Sequence, residues 1–163
     1  MEQPQYIVDA FTDAVFSGNP AAVCPLDDWL PDATMAAIAR ENNLSETAFI
    51  VGARGAYAIR WFTPSMEVDL CGHATLASAF VVFNYLEPNR TAVSFQSPSG
   101  PLHVERRGDR LVLDFPARPG DVVECPPALV EGLGVSPLAT FLSRDYRLIV
   151  ESHEQVAQCQ PVW

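Results

Sequence analysis

Seven consecutive residues, Asp69-Leu70-Cys71-Gly72-His73-Ala74-Thr75, put a carboxylate, a thiol, an imidazole and a hydroxyl within one short span. An imidazole near neutral pH can take or give a proton, and a glycine lets a ligand come close to the backbone. From Ala74 to Tyr85 nearly every position is small or apolar. A helix of that composition is buried on all sides, and its first amides lack internal partners while its dipole is positive there. The amides of Gly72, His73 and Ala74 therefore form a cradle able to hold an anionic group. Glu46 is a second chemical candidate. It stands where the polar run Leu44-Ser45 gives way to the apolar run Thr47-Ala48-Phe49-Ile50-Val51. On residue type alone it is either a proton-transfer carboxylate or an ordinary strand-edge surface glutamate.

The elements that must position these groups can be read in order. Tyr6 to Phe11 reads as a strand, Thr12 to Pro20 as a loop closed by Ser-Gly-Asn-Pro, and Ala21 to Pro25 as a second strand. A helix follows, with Asp28 or Asp32 as cap, Pro31 early, and Met35, Ile38 and Ala39 on one face; Asn42-Asn43 ends it. Leu44 to Val51 enters a strand, and Tyr57 to Phe62 forms another. After the buried helix come a strand at Ala92–Gln96 and a hairpin, Leu102–Arg106 and Arg110–Phe115, around Arg107-Gly108-Asp109. Pro116 to Pro127 reads as a linker. A short helix closed by Gly134, one or two strands within Phe141–Val150 and a helix capped by Ser152 complete the pattern.

The chain has 163 residues, 48% of them apolar, enough for a real core. Its formal net charge is −10, and arginine supplies every basic side chain. Such a surface repels phosphate backbones, so nucleic acid is not an expected partner. No apolar run approaches the length of a membrane span, and Met1 to Gln5 lack a signal-peptide layout, so a cytoplasmic protein with no membrane partner is expected. Cys24, Cys71, Cys125 and Cys159 form no CxxC pair and read as reduced thiols rather than a zinc or disulfide framework. No metal, nucleotide or flavin motif is present.

Three segments in order, Ser17-Gly18-Asn19-Pro20-Ala21, Leu44-Ser45-Glu46-Thr47-Ala48-Phe49 and Asp69 to Thr75, resemble those of the phenazine-biosynthesis F-like isomerases of the diaminopimelate-epimerase superfamily. The resemblance extends through the hairpin end Asp114-Phe115-Pro116. It implies an α+β fold of two similar lobes, each a mostly antiparallel curled sheet or barrel wrapped around a central buried helix. Residues 1–118 would form the first lobe; residues 119–163 would be a linker and the opening of a truncated second lobe.

The resemblance also implies an activity: a cofactor-independent isomerase or epimerase that moves a proton on carbon of a small carboxylated metabolite. By the same resemblance Glu46 is the general acid/base and His73 assists it or binds the substrate carboxylate. Gly72, His73, Ala74 and Thr75 would cradle the anion, with Asn19, Ser45, Asp69 and Cys71 lining the site. Thr75 reads equally as a cap of the helix turn, and Asn19 as ordinary turn chemistry. A thiol at a helix N-terminus tends to have a lowered pKa, but the Ser45-Glu46-Thr47 segment points to the glutamate as the base. The alternative expectation is a fragment or binding module without catalysis. Two chains pairing as a homodimer would supply the missing lobe.

Overall fold

The computed structural model describes residues 3–161. The chain divides into two compact units, Met1–Phe115 and Pro116–Trp163. The first unit runs β1 (Tyr6–Ala10), β2 (Asn19–Leu26), α1 (Asp32–Asn42), β3 (Glu46–Ala53), β4 (Ala56–Phe62), β5 (Glu67–Val68) and α2 (Gly72–Val81). A π-helical turn (Val82–Leu86) then leads to β6 (Ala92–Ser97), β7 (Gly100–Arg107) and β8 (Arg110–Asp114). The strands form one sheet in the order β1-β2-β3-β4-β6-β7-β8, with β5 also on β4. The pairs β2–β3 and β4–β6 are parallel and the others antiparallel. Parallel neighbours need a long crossover, usually a helix, and α1 and α2 are those crossovers.

Helix α2 packs against β1, β2 and β3 and also against β8 at the far end of the strand order, so the sheet curls around it. This is the expected α+β lobe, a curled and mostly antiparallel sheet around a central helix. Ala74, Ala77, Ala79, Val81, Val82 and Phe83 of the helical stretch join Val23, Ala48, Ile50, Ile59 and Trp61 of the sheet in the main core. A second core, Cys24, Met35, Ala39, Phe49 and Phe62, fills the space between α1 and the opposite sheet face. The central strands are therefore covered on both faces, which explains the unbroken apolar run of β3. The expectation that α2 is buried on every side fails at one stripe. Phe80 is exposed, in a groove whose lining includes Val8 and Ala10 of β1, Leu76 and Ala77 of α2, and Leu111 of β8.

Other expectations shift in detail. Neither Asp28 nor Asp32 caps α1: Pro31 holds the cap position, Asp28 accepts from the Trp29 amide, and Asp32 is paired with Arg60 at 2.9 Å. Arg60 also binds Glu67 of β5 and lies over the rings of Trp29 and Phe62. Asn43 ends α1 as expected, in the left-handed region at φ 50° with its amide on Ala39 O. The Pro116–Pro127 stretch is not wholly a linker, because Asp121–Val123 forms a short strand, β9. In the second unit, β9 and β11 (Tyr146–Ile149) flank β10 (Ala139–Leu142) in an antiparallel sheet. Its helices are α3 (Pro127–Leu133), closed by left-handed Gly134, and α4 (His153–Gln158), whose cap Ser152 accepts from the Gln155 amide at 3.3 Å. Among the described residues no helix is long and apolar enough to cross a membrane.

The β3–β4 turn is tied to the end of the π-helical turn by one carboxylate. Glu87 accepts from Tyr57 Oη at 2.6 Å and from the Gly55 amide at 3.0 Å, and it pairs with Arg90. Desolvation opposes its charge, but these donors outweigh it and bring the Glu87 pKa down to about 2. A carboxylate depressed in the fold contributes stability that is full above its unfolded pKa and disappears as pH falls through the folded one. Glu87→Gln is expected to lower the melting temperature at pH 7 and to flatten its decline between pH 4.5 and 2. Calorimetry across that range checks it; parallel profiles for the two proteins would remove Glu87 from the acid response.

Candidate active site

The site forms where the first residue of β3 meets the start of α2. Parallel pairing sets Glu46 opposite Ala21 of β2, and its side chain is mostly buried. The β4–β5 hairpin and the turn after it deliver the chain to Cys71, the extended residue that caps α2. Ser99 Oγ donates to Asp69 O at 2.8 Å and ties this turn to the β6–β7 turn.

Three side chains converge. His73 Nε2 lies 3.3 Å from Glu46 Oε2, and the Cys71 sulfur lies 3.5 Å from His73 Nδ1. The imidazole is about nine-tenths buried. Although Nε2 and Oε2 are close, they make no hydrogen bond, and neither atom has another partner. Buried polar atoms are seldom left without partners, and Trp61 Nε1 is another such atom among the described residues.

Burial is the main force on both titrating neighbours. It pushes the Cys71 thiol up to about 12, against the amides of Ala74 and His73, which favour the thiolate. The lowered thiol pKa expected of a helix N-terminus is thus not realised, because desolvation exceeds the dipole. The Cys71 thiol and His73 Nδ1 are within hydrogen-bond reach of each other, with donor and acceptor set by the ring's tautomer. Burial likewise holds the His73 pKa below its ordinary value, while the Glu46 charge pulls it upward. The arrangement is a carboxylate beside a neutral imidazole at a helix start, able to pass a proton and to donate one hydrogen bond.

The remaining candidates are placed as follows. Thr75 is buried, and its hydroxyl donates to Cys71 O at 2.5 Å, which closes the first turn. Ala74 is buried, and Gly72 is half-buried at the opening. Asn19 opens β2 opposite Ala10, and Ser45 is exposed just before Glu46; neither side chain makes a hydrogen bond among the described residues. Phe115 was not singled out from the sequence. A Cβ built on Gly72 would meet its ring at 3.6 Å, so the ring stands beside the helix start. Alternation along β8 carries the signal, since Leu111 and Leu113 pack on the α2 core and Phe115 is the next residue of the same face. The ligand atoms of Glu46, Cys71 and His73 lie within 4.8 Å of one another, close enough to hold a metal ion.

The first unit is thus a curled sheet around a buried helix, with Glu46 and His73 side by side at the helix start. The family model for phenazine biosynthesis-like proteins matches residues 8–126, and the chain belongs to that family. It is 49% identical over 161 residues to an uncharacterized isomerase of Pseudomonas aeruginosa, covering 99% of this chain and 62% of the relative. The human phenazine biosynthesis-like domain-containing protein is 43% identical over 145 residues, 82% of this chain and 50% of the relative. Among solved structures, a PhzF-family phenazine biosynthesis protein of Enterococcus faecalis superposes with a TM-score of 0.87 at 48% identity, covering 99% of this chain and 62% of that one. The chain thus spans about three fifths of the length of its bacterial relatives.

The opposing influences on His73 can be separated. Nuclear magnetic resonance titration is expected to place its pKa below the ordinary 6.5. Glu46→Gln removes the charge that raises it, so the value should fall further; an unchanged value would show that the two groups do not feel each other.

Proposed function

We propose that this site moves a proton on carbon of a small carboxylated metabolite, without a cofactor, in the cytoplasm. Glu46 takes the proton at one carbon and returns it at another. His73 donates through Nε2 to the oxygen that gains charge during the transfer. The helix start at Gly72, His73 and Ala74 holds the substrate carboxylate, with the His73 and Ala74 amides shared with the Cys71 sulfur. Asp69, Cys71 and Thr75 shape that turn, and Asn19 and Ser45 contribute polar contacts at its rim. The observation that carries the reading is the unpartnered Glu46–His73 pair, buried at a helix start. The isomerase names of the P. aeruginosa relatives support the reaction class.

The test is exchange of substrate hydrogen for solvent deuterium across a panel of small cyclic and amino-acid carboxylates. Glu46→Gln is expected to slow exchange by about 10²–10⁴-fold, the usual worth of a positioned acid/base. Equal rates for the parent chain and the variant would remove Glu46 from the mechanism.

A homodimer is the second element of the proposal. Ile7, Phe11, Val15, Phe16, Phe80 and Tyr85 are exposed apolar residues on β1, on the loop after it and at the end of the central helix. They adjoin β1, an edge strand of the sheet, and apolar surface beside an open edge favours association. Sedimentation velocity at micromolar concentration is expected to show a dimer that Phe16→Asp dissociates. A monomer under those conditions would overturn the pairing.

A further inference from the structure

We propose that Glu46, Cys71 and His73 also form a three-ligand site for a zinc-type divalent cation, and that the cation blocks the proton transfer assigned to the same residues. One carboxylate oxygen, one sulfur and one ring nitrogen lie within 4.8 Å of one another, and the closest carboxylate–imidazole approach is 3.3 Å. Bonds of about 2.0–2.3 Å to a tetrahedral ion bring neighbouring ligands to within about 4 Å. Closing the present spread of up to 4.8 Å takes side-chain shifts on the order of an ångström, because the Cys71 sulfur faces Nδ1 while Glu46 Oε2 faces Nε2, and one of the two must swing toward the other's side of the ring. The donor set selects the metal. Thiolate and imidazole favour zinc over magnesium or calcium, which prefer oxygen throughout.

Two observations beyond proximity point to a ligand. Glu46 Oε2 and His73 Nε2 are shielded from water and have no hydrogen-bond partner, so at these atoms an arriving cation would replace the 3.3 Å approach of one to the other. The three residues also come from two firmly held elements, the first position of a central strand and the first turn of a buried helix. Three protein ligands leave a fourth position for water, the pattern of an open zinc site. Binding is balanced by loss of the Cys71 thiol proton to solvent as the sulfur–metal bond forms, while Glu46 binds as carboxylate and His73 as neutral imidazole.

The inhibitory half rests on the proton-transfer reading above; the binding half does not, and the two are measured separately. Cobalt(II) is titrated into the metal-free protein and followed by absorption, and zinc affinity is then read by competition with a chromogenic chelator. One equivalent of cobalt is expected to give the visible bands of a four-coordinate ion together with a near-ultraviolet sulfur-to-cobalt band. Cys71→Ser should abolish the near-ultraviolet band, and the double variant Cys125→Ser/Cys159→Ser should leave it intact. Glu46→Gln should weaken zinc binding by more than about 100-fold, beyond the loss typical of an outer-shell partner. Magnesium should not compete. Far-ultraviolet circular dichroism confirms that each variant is folded, and Glu46→Gln decides the question if Cys71→Ser does not fold. A sulfur band that survives in folded Cys71→Ser, or zinc binding unchanged in Glu46→Gln, would overturn the site. With binding established, zinc is expected to stop deuterium exchange and a chelator to restore it. Exchange that continues with zinc bound would overturn the block while leaving the site in place.

Discussion

The enclosure of α2 is the constraint from which the rest of the first unit follows. A helix built from alanine, valine and phenylalanine on nearly every side loses its driving force unless something surrounds it. The sheet supplies this by bending until β1 and β8, at opposite ends of its strand order, both touch the helix. Enclosure has an electrostatic consequence. The positive end of the helix is carried into the interior together with amides that the helix itself cannot satisfy. Thr75 answers at the opposite polarity, donating to Cys71 O, while the sulfur of Cys71 faces two of the amides.

The Glu46–His73 pair inherits its character from that interior. Water would satisfy both atoms if the pair lay on the surface, and the imidazole would keep its ordinary basicity. Burial removes the water and favours the uncharged ring. An imidazole held toward its uncharged form thus lies 3.3 Å from Glu46, with neither facing atom hydrogen-bonded. The cost of leaving them so is about 1–3 kcal/mol per unsatisfied group, and the two cores that hold β3 from both faces sustain it.

Much of this was legible in residue order. The small-residue run after Thr75 could be stable only inside the molecule, and Asn43 and Gly134 mark helix ends because each adopts a left-handed angle. The convergence of Glu46 and His73 followed from resemblance and not from spacing, since no periodicity links the first residue of a strand to the first turn of a helix that follows two further strands. What escaped was tertiary in origin. Arg60 took the carboxylate of Asp32 away from capping, desolvation reversed the thiol's response to the helix dipole, and the strand at Asp121–Val123 was hidden among prolines. Phe115 escaped because its importance lies in the neighbour it meets across the lobe, a glycine with no side chain to advertise the contact.

The covering of β3 on both faces has an evolutionary consequence. A strand locked in that way cannot slip by one position without turning every side chain to the wrong layer, so the location of Glu46 tolerates almost no drift. Asn19, Ser45 and Phe115 stand instead at strand ends beside turns, where insertions and exchanges disturb little. Exchanges at those strand ends can therefore reshape the surroundings of Glu46 while its own position stays fixed.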